Sequence, residues 1–232
     1  MTRMSALIDL FKDLDRLGPG NAESLRWVLD LAQTPADARV LDAGCGTGAD
    51  LGVLLSRVPD GQVTALDSAA PFIDRVRRRF PRVDAVVGDM REPPGGPYDL
   101  IWAAGAIYTV GVGPALAAWR GHLRDGGRIA FSDLRLRIEN PPRQVVDFFA
   151  AEGGTLSGAA ALESEVRSAG YRVLGARWLG TAGWASYFGP LEAHLDSADA
   201  DPGLIEQIRR EISLWRTHGV AYGYRIVVCE PA

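Results

Sequence analysis

Lysine is nearly absent from this 232-residue sequence: of 25 basic residues, Lys12 is the only lysine and the other 24 are arginines. Chemistry that needs an active-site amine, such as Schiff-base formation, therefore has almost no candidate nucleophile. Cysteine is also scarce. Cys45 and Cys229 lie 184 positions apart, too few and too distant for a disulfide framework, and no basic start leads into an apolar run with a small-residue cleavage site. A reducing, cytoplasmic setting is expected. The three histidines, His122, His194 and His218, have no metal-ligand spacing, so no metal is expected. The formal net charge of −4 offers no general attraction to phosphate backbones or anionic membranes, so neither is an expected partner. An uncharged stretch at 100–119 approaches membrane-span length, but Gly105, Gly111, Gly113 and Pro114 break it into strand, loop and helix.

Glycine, by contrast, is plentiful, with 27 residues beside 14 prolines; this falls short of low complexity and suits loops that approach a ligand. Hydrophobic residues at 47% and charged residues at 23% suffice for a sizeable core, and the length fits one domain over 1–232. Helical spacing at 5–17 and 21–32, the second with Asn21 as N-cap, gives a lead-in over 1–34. Strand patterns then fall at 40–43, 62–66, 83–87, 98–103 and 128–132, with helix patterns at 49–58, 71–80 and 114–123 between them. Residues 134–157 read as loop with a short helix, 159–169 as helix, and 172–179 as strand. Residues 190–217 form a helical insertion before a last strand at 221–229. This order predicts an α/β, Rossmann-like, doubly wound seven-stranded sheet, mostly parallel with an antiparallel last strand, and a ligand site at the strands' carboxyl ends.

The chemistry concentrates at three of those ends. Asp42-Ala43-Gly44-Cys45-Gly46-Thr47-Gly48 closes the first strand in a glycine turn that opens a helix, where the backbone can approach a ligand. Asp67 follows the second strand, placed to accept both hydroxyls of a ribose, and Asp89 follows the third within Gly88-Asp89-Met90. Glycines, acid and acid in series suit an adenosine whose tail ends in an amino acid. These motifs resemble the class I S-adenosylmethionine-dependent methyltransferases, from about Gly18 to the final strand. The resemblance implies S-adenosyl-L-methionine as cofactor, with Asp42, Gly44 and Gly46 in the methionine-contacting loop, Asp67 at the ribose, Asp89 and Met90 at the adenine, Ala103 on the fourth-strand loop, and Cys45, Ser68 and Gly88 as further cofactor-binding residues. Tyr98-Asp99-Leu100-Ile101 and Leu123-Arg124-Asp125-Gly126-Gly127-Arg128 match further family motifs. Trp102 to Tyr108, with Trp184-x-x-Tyr187-Phe188-x-Pro190-Leu191-Glu192, is similar to a small-molecule branch that often has Glu where this chain has Ala104.

The glycine loop alone also satisfies a dinucleotide fingerprint, which leaves an NAD-dependent oxidoreductase as one alternative and a non-catalytic S-adenosylmethionine-binding domain as another. A short-chain dehydrogenase would need a Tyr-x-x-x-Lys pair, and Lys12 precedes the first strand. The acids of polyamine synthases and the Pro-Pro-aromatic motif of amino-group nucleic-acid methyltransferases are missing after the fourth strand; Asn140-Pro141-Pro142-Arg143 comes one strand too late. Methyl displacement from a sulfonium needs alignment above all. Tyr108, Asp133 and His194 are the candidate catalytic groups for an acceptor that must lose a proton. Tyr108, Trp184 and Tyr187 are expected to line the pocket of a small organic acceptor, the latter two at a strand exit ahead of a helix starting at Pro190. A monomer or homodimer is expected.

Overall fold

The computed structural model describes residues 3–232, with side chains from Ser5 onward; Met1 and Thr2 of the expected lead-in lie outside these. Strands β1 (Arg39–Ala43), β2 (Gln62–Asp67), β3 (Asp84–Val87), β4 (Tyr98–Ala104), β5 (Leu123–Leu136), β6 (Tyr171–Trp178) and β7 (Tyr222–Pro231) form one sheet in the order β3-β2-β1-β4-β5-β7-β6. Parallel pairing joins β1 to β2 and β4, β2 to β3, and β4 to β5. β7 runs antiparallel between β5 and β6, as the sequence predicts. β5 runs well beyond the expected 128–132 because β7 pairs with it from Ile129 out to Leu136.

Strand alternation assigns the two faces. Val40 joins a core built with Leu25, Val28 and Leu29 of α2 (Ala22–Leu31), Leu51 and Leu54 of α3 (Leu51–Arg57), and Ile73 and Val76 of α4 (Ala70–Arg79). Leu41 and Ala43 face the other way, against Leu116 and Trp119 of α5 (Val112–Trp119) and Leu162 and Val166 of α7 (Ala159–Ser168). α6 (Arg143–Ala151) fills part of the stretch expected to be mostly loop. Asn21 caps α2 in a reciprocal box with Ser24, whose amide donates to the Asn21 side chain at 2.8 Å.

Two boundaries differ from expectation. α1 (Arg3–Phe11) stops six residues short of Leu17, because the chain turns across the glycine loop. There the Thr47 hydroxyl donates to the Asp15 carbonyl at 3.1 Å and Arg16 pairs with Asp50. The helical insertion begins at residue 181 instead of Pro190, as α8 (Thr181–Leu195) followed by α9 (Pro202–His218). Gly183, Trp184, Tyr187, Phe188, Leu191 and Leu195 make a buried helical stripe. Pro190 lies inside the helix on its exposed side, where only one backbone bond, to the Ser186 carbonyl, is forgone.

Candidate active site

The carboxyl ends of β1 to β4 surround a cleft of about 830 Å³. The sheet order reverses between β1 and β4, and in open α/β sheets that reversal leaves the crevice in which ligands bind. The turn after β1 forms its floor. Gly44 has φ +80°, and a Cβ there would lie 2.4 Å from the Ala106 Cβ and 3.0 Å from the Met90 methyl, so no side chain fits. The Gly44 and Cys45 amides donate to the Leu66 carbonyl at 2.8 and 3.0 Å, fixing the turn against β2.

Asp67 closes the next side. One of its oxygens accepts the Gly46 amide and the other the Ala69 amide, both at 2.9 Å. Burial pushes its carboxyl above the usual range, and those backbone donors oppose the rise. Asp42 is fully enclosed and is pushed up further, by burial first and then by Asp50 and Asp67, with Arg16 acting against them. Asp89 is solvated, and its hydrogen bonds from Arg91 hold it down to about 2.

Asp42, Gly44, Cys45, Gly46, Asp67, Ser68, Gly88, Asp89, Met90 and Tyr108 all line this cleft. Ala103 does not: it is fully buried in the layer under α5 and α7, strand alternation turns Ala104 to the cleft instead, and Gly105 and Ala106 of the loop beyond β4 line it beside Ala104. The Cys45 thiol is buried and pushed up by its surroundings, so at this position the backbone faces the ligand.

Four expected acceptor-side residues lie outside the cleft. Asp133 is buried and paired at 2.6 Å with Arg135, which also binds Glu165. The His194 ring sits 2.9 Å from the Leu10 carbonyl and ties α8 to α1. Trp184 stacks on Trp215 with ring centroids 5.0 Å apart, and Tyr187 is buried beside Phe188 on the same helix. Both aromatics point inward because α8 is helical throughout, with no strand exit ahead of Pro190.

The sequence reading missed Arg16 and Asp50. Arg16 enters the cleft between α1 and α2, its guanidinium 2.5 Å from Asp50, which also accepts the Trp102 indole N–H at 2.9 Å. Asp50, an acid two residues past the last glycine of the loop, was a legible signal; its partner 34 residues upstream was not.

Residues 40–127 match a family model described as a methyltransferase domain. Over 113 residues the chain is 37% identical to the malonyl-[acyl-carrier protein] O-methyltransferase of Laribacter hongkongensis, an overlap of 43% of this chain and 38% of that protein. Over 136 residues it is 32% identical to the trans-aconitate 2-methyltransferase of an Azoarcus species, covering 57% and 54%. The chain thus spans roughly a third to a half of these curated relatives' lengths. Among solved structures, a SAM-dependent methyltransferase from Thiobacillus denitrificans in complex with S-adenosyl-L-homocysteine shares the fold, with a TM-score of 0.78, 20% identity and coverage of 100% of this chain and 99% of that one.

Proposed function

Residues 40–127 belong to a methyltransferase-domain family and lie within a class I methyltransferase fold, and from that premise we propose that this protein is an S-adenosylmethionine-dependent methyltransferase acting on a small organic molecule. One observation carries the reading: three adjacent strand ends bring a glycine floor, Asp67 and Asp89 round a single cleft. Each part suits a different portion of the cofactor. The Gly44 turn, which a Cβ would fill, lets the backbone lie against the ligand. Asp67 spends one lone pair per oxygen on the loop and keeps the others for two ribose hydroxyls. Asp89 and Met90 line the same cleft after β3, where an adenine would rest. Arg16, already beside the loop, offers the cation for an amino-acid carboxylate.

When bound, S-adenosylmethionine would supply a sulfonium methyl whose carbon bonds to the acceptor's nucleophile as its bond to sulfur breaks, with S-adenosylhomocysteine as the leaving group. The protein's contribution is alignment, worth up to roughly 7–11 kcal/mol of the barrier in well-oriented cases, together with exclusion of water by the 12–20 segment that crosses the glycine loop. Titration calorimetry with S-adenosylhomocysteine, S-adenosylmethionine and NAD separates the readings. Both sulfur compounds are expected to bind and NAD is not; binding of NAD alone overturns the proposal. Release of S-adenosylhomocysteine in the presence of an acceptor distinguishes an enzyme from a binding domain.

A further inference from the structure

The cleft has more wall than the cofactor reading employs. Its volume of about 830 Å³ lies toward the upper end of the roughly 300–1,000 Å³ usual for small-ligand sites. Ile8, Leu17, Pro19, Ala104, Ala106 and Tyr108 line it with no part assigned in holding the cofactor. Two of them touch the glycine turn: a Cβ on Gly46 would lie 2.9 Å from the Leu17 side chain, and one on Gly44 lies 2.4 Å from the Ala106 Cβ. A second, largely apolar part of the cleft therefore begins against the loop assigned to the methionine end.

The polar groups of this lining are already engaged. Thr47 is buried with its hydroxyl on the Asp15 carbonyl. Asp50 spends one oxygen on Arg16 and the other on the Trp102 indole N–H. The Thr109 hydroxyl donates to the Ala106 carbonyl at 2.8 Å, and the Gly105 amide donates to the Ser132 hydroxyl oxygen at 2.9 Å. Among the described residues, the cleft's two arginines are ion-paired, Arg16 with Asp50 and Arg91 with Asp89. Arg135, Arg137 and Arg225 lie outside its lining.

Tyr108 is the exception. It is the one exposed aromatic among the described residues, 66% accessible, and its hydroxyl makes no hydrogen bond among them. The backbone holds it there. The 3₁₀ turn Ile107–Thr109 sits between Gly105 at φ +59° and Gly111 at φ +85°, a region that favours glycine. Ile107 is fully buried on one side of Tyr108, and the Thr109 hydroxyl bond closes the turn on the other. An anchored turn thus presents to the cleft a ring and a phenol that can donate or accept a hydrogen bond.

We infer that this second part of the cleft binds the methyl acceptor, that the acceptor is a largely apolar molecule without a charged group, and that Tyr108 holds it through its ring and one hydrogen bond. The inference rests on the methyltransferase reading. A charged acceptor would leave water for a wall whose ions are already paired, with nothing to offset its desolvation. An uncharged one loses little on leaving water and covers the apolar side chains.

Three probes of one skeleton test this on the full chain at pH 7: uncharged 2-naphthol, anionic 2-naphthoate and cationic 2-naphthylmethylamine. Calorimetry with S-adenosylhomocysteine comes first. If wild type does not bind it, the methyltransferase reading itself falls; if it binds, that reading stands and the probes are titrated into the complex. The complex is expected to bind 2-naphthol at least tenfold more tightly than either charged probe. Tyr108→Ala is expected to weaken 2-naphthol binding at least tenfold and Tyr108→Phe about threefold, with S-adenosylhomocysteine affinity in both variants within about twofold of wild type. Absence of 2-naphthol binding, preference for a charged probe, unchanged 2-naphthol affinity in either variant, or lost S-adenosylhomocysteine affinity in the variants overturns the inference with the parent reading intact.

Discussion

Asp67 is committed on both sides before any ligand arrives. Its oxygens hold the Gly46 and Ala69 amides, so the same carboxylate that would face a ribose also fixes the glycine turn. Hydrogen bonds to a charged group contribute about 1.5–3 kcal/mol each. Asp67→Ala is therefore expected to weaken S-adenosylhomocysteine binding by at least tenfold while the protein still melts cooperatively; calorimetric affinity equal to wild type would remove Asp67 from the ribose site. The residue was legible because a carboxylate directly after a second parallel strand has a fixed place in this topology. Arg16 was not. Its place depends on the chain after α1 turning back over the loop, where Asp50 and Thr47 hold that segment, and no local pattern encodes such a return.

At the scale of elements, the misreading of α8 shows what local punctuation cannot decide. Gly180, Gly183 and Pro190 resemble breaks in a strand-to-helix passage, yet the residues between them follow a helical stripe that buries Trp184, Tyr187, Phe188 and Leu191. The stripe prevails because apolar burial along a helix exceeds the cost of one exposed proline. Trp184 then belongs to the packing between α8, α9 and β7, stacked on Trp215 and edge-on to Tyr222. Truncating a buried tryptophan typically costs about 3–5 kcal/mol. Trp184→Ala is expected to lower the denaturant midpoint by a corresponding amount, with S-adenosylhomocysteine affinity in the surviving native protein within about threefold of wild type. A normal midpoint would show that the site tolerates a cavity and that the aromatic stack has little structural role.

Over the whole molecule, the sheet order and the position of the cleft were legible, since the alternation of strands and helices allows few topologies. The placement of α9 was not, because it rests on α6 and α8 through packing contacts that no local pattern encodes. Glu211 leaves a signature in the stability of the entire chain. Burial, then the charge of Glu152, pushes its carboxyl up to about 7 in the fold, against the ordinary glutamate range near 4.3 in an unfolded chain. Below that ordinary range both states are protonated, and this group adds no pH dependence. Between the two values the native state keeps a proton that the unfolded chain has released, so native stability falls as pH rises; above about 7 both states are charged and the cost is complete. Glu211→Gln removes this one contribution and leaves Asp42, Asp67 and Asp133 as they are in wild type. The variant's melting temperature is therefore expected to match wild type near pH 4.5, to exceed it progressively as pH rises through 6, and to keep a constant advantage near pH 8. Melting curves of the two proteins across that range supply the check, and a difference that stays flat with pH would mean that Glu211 is well solvated in the native state.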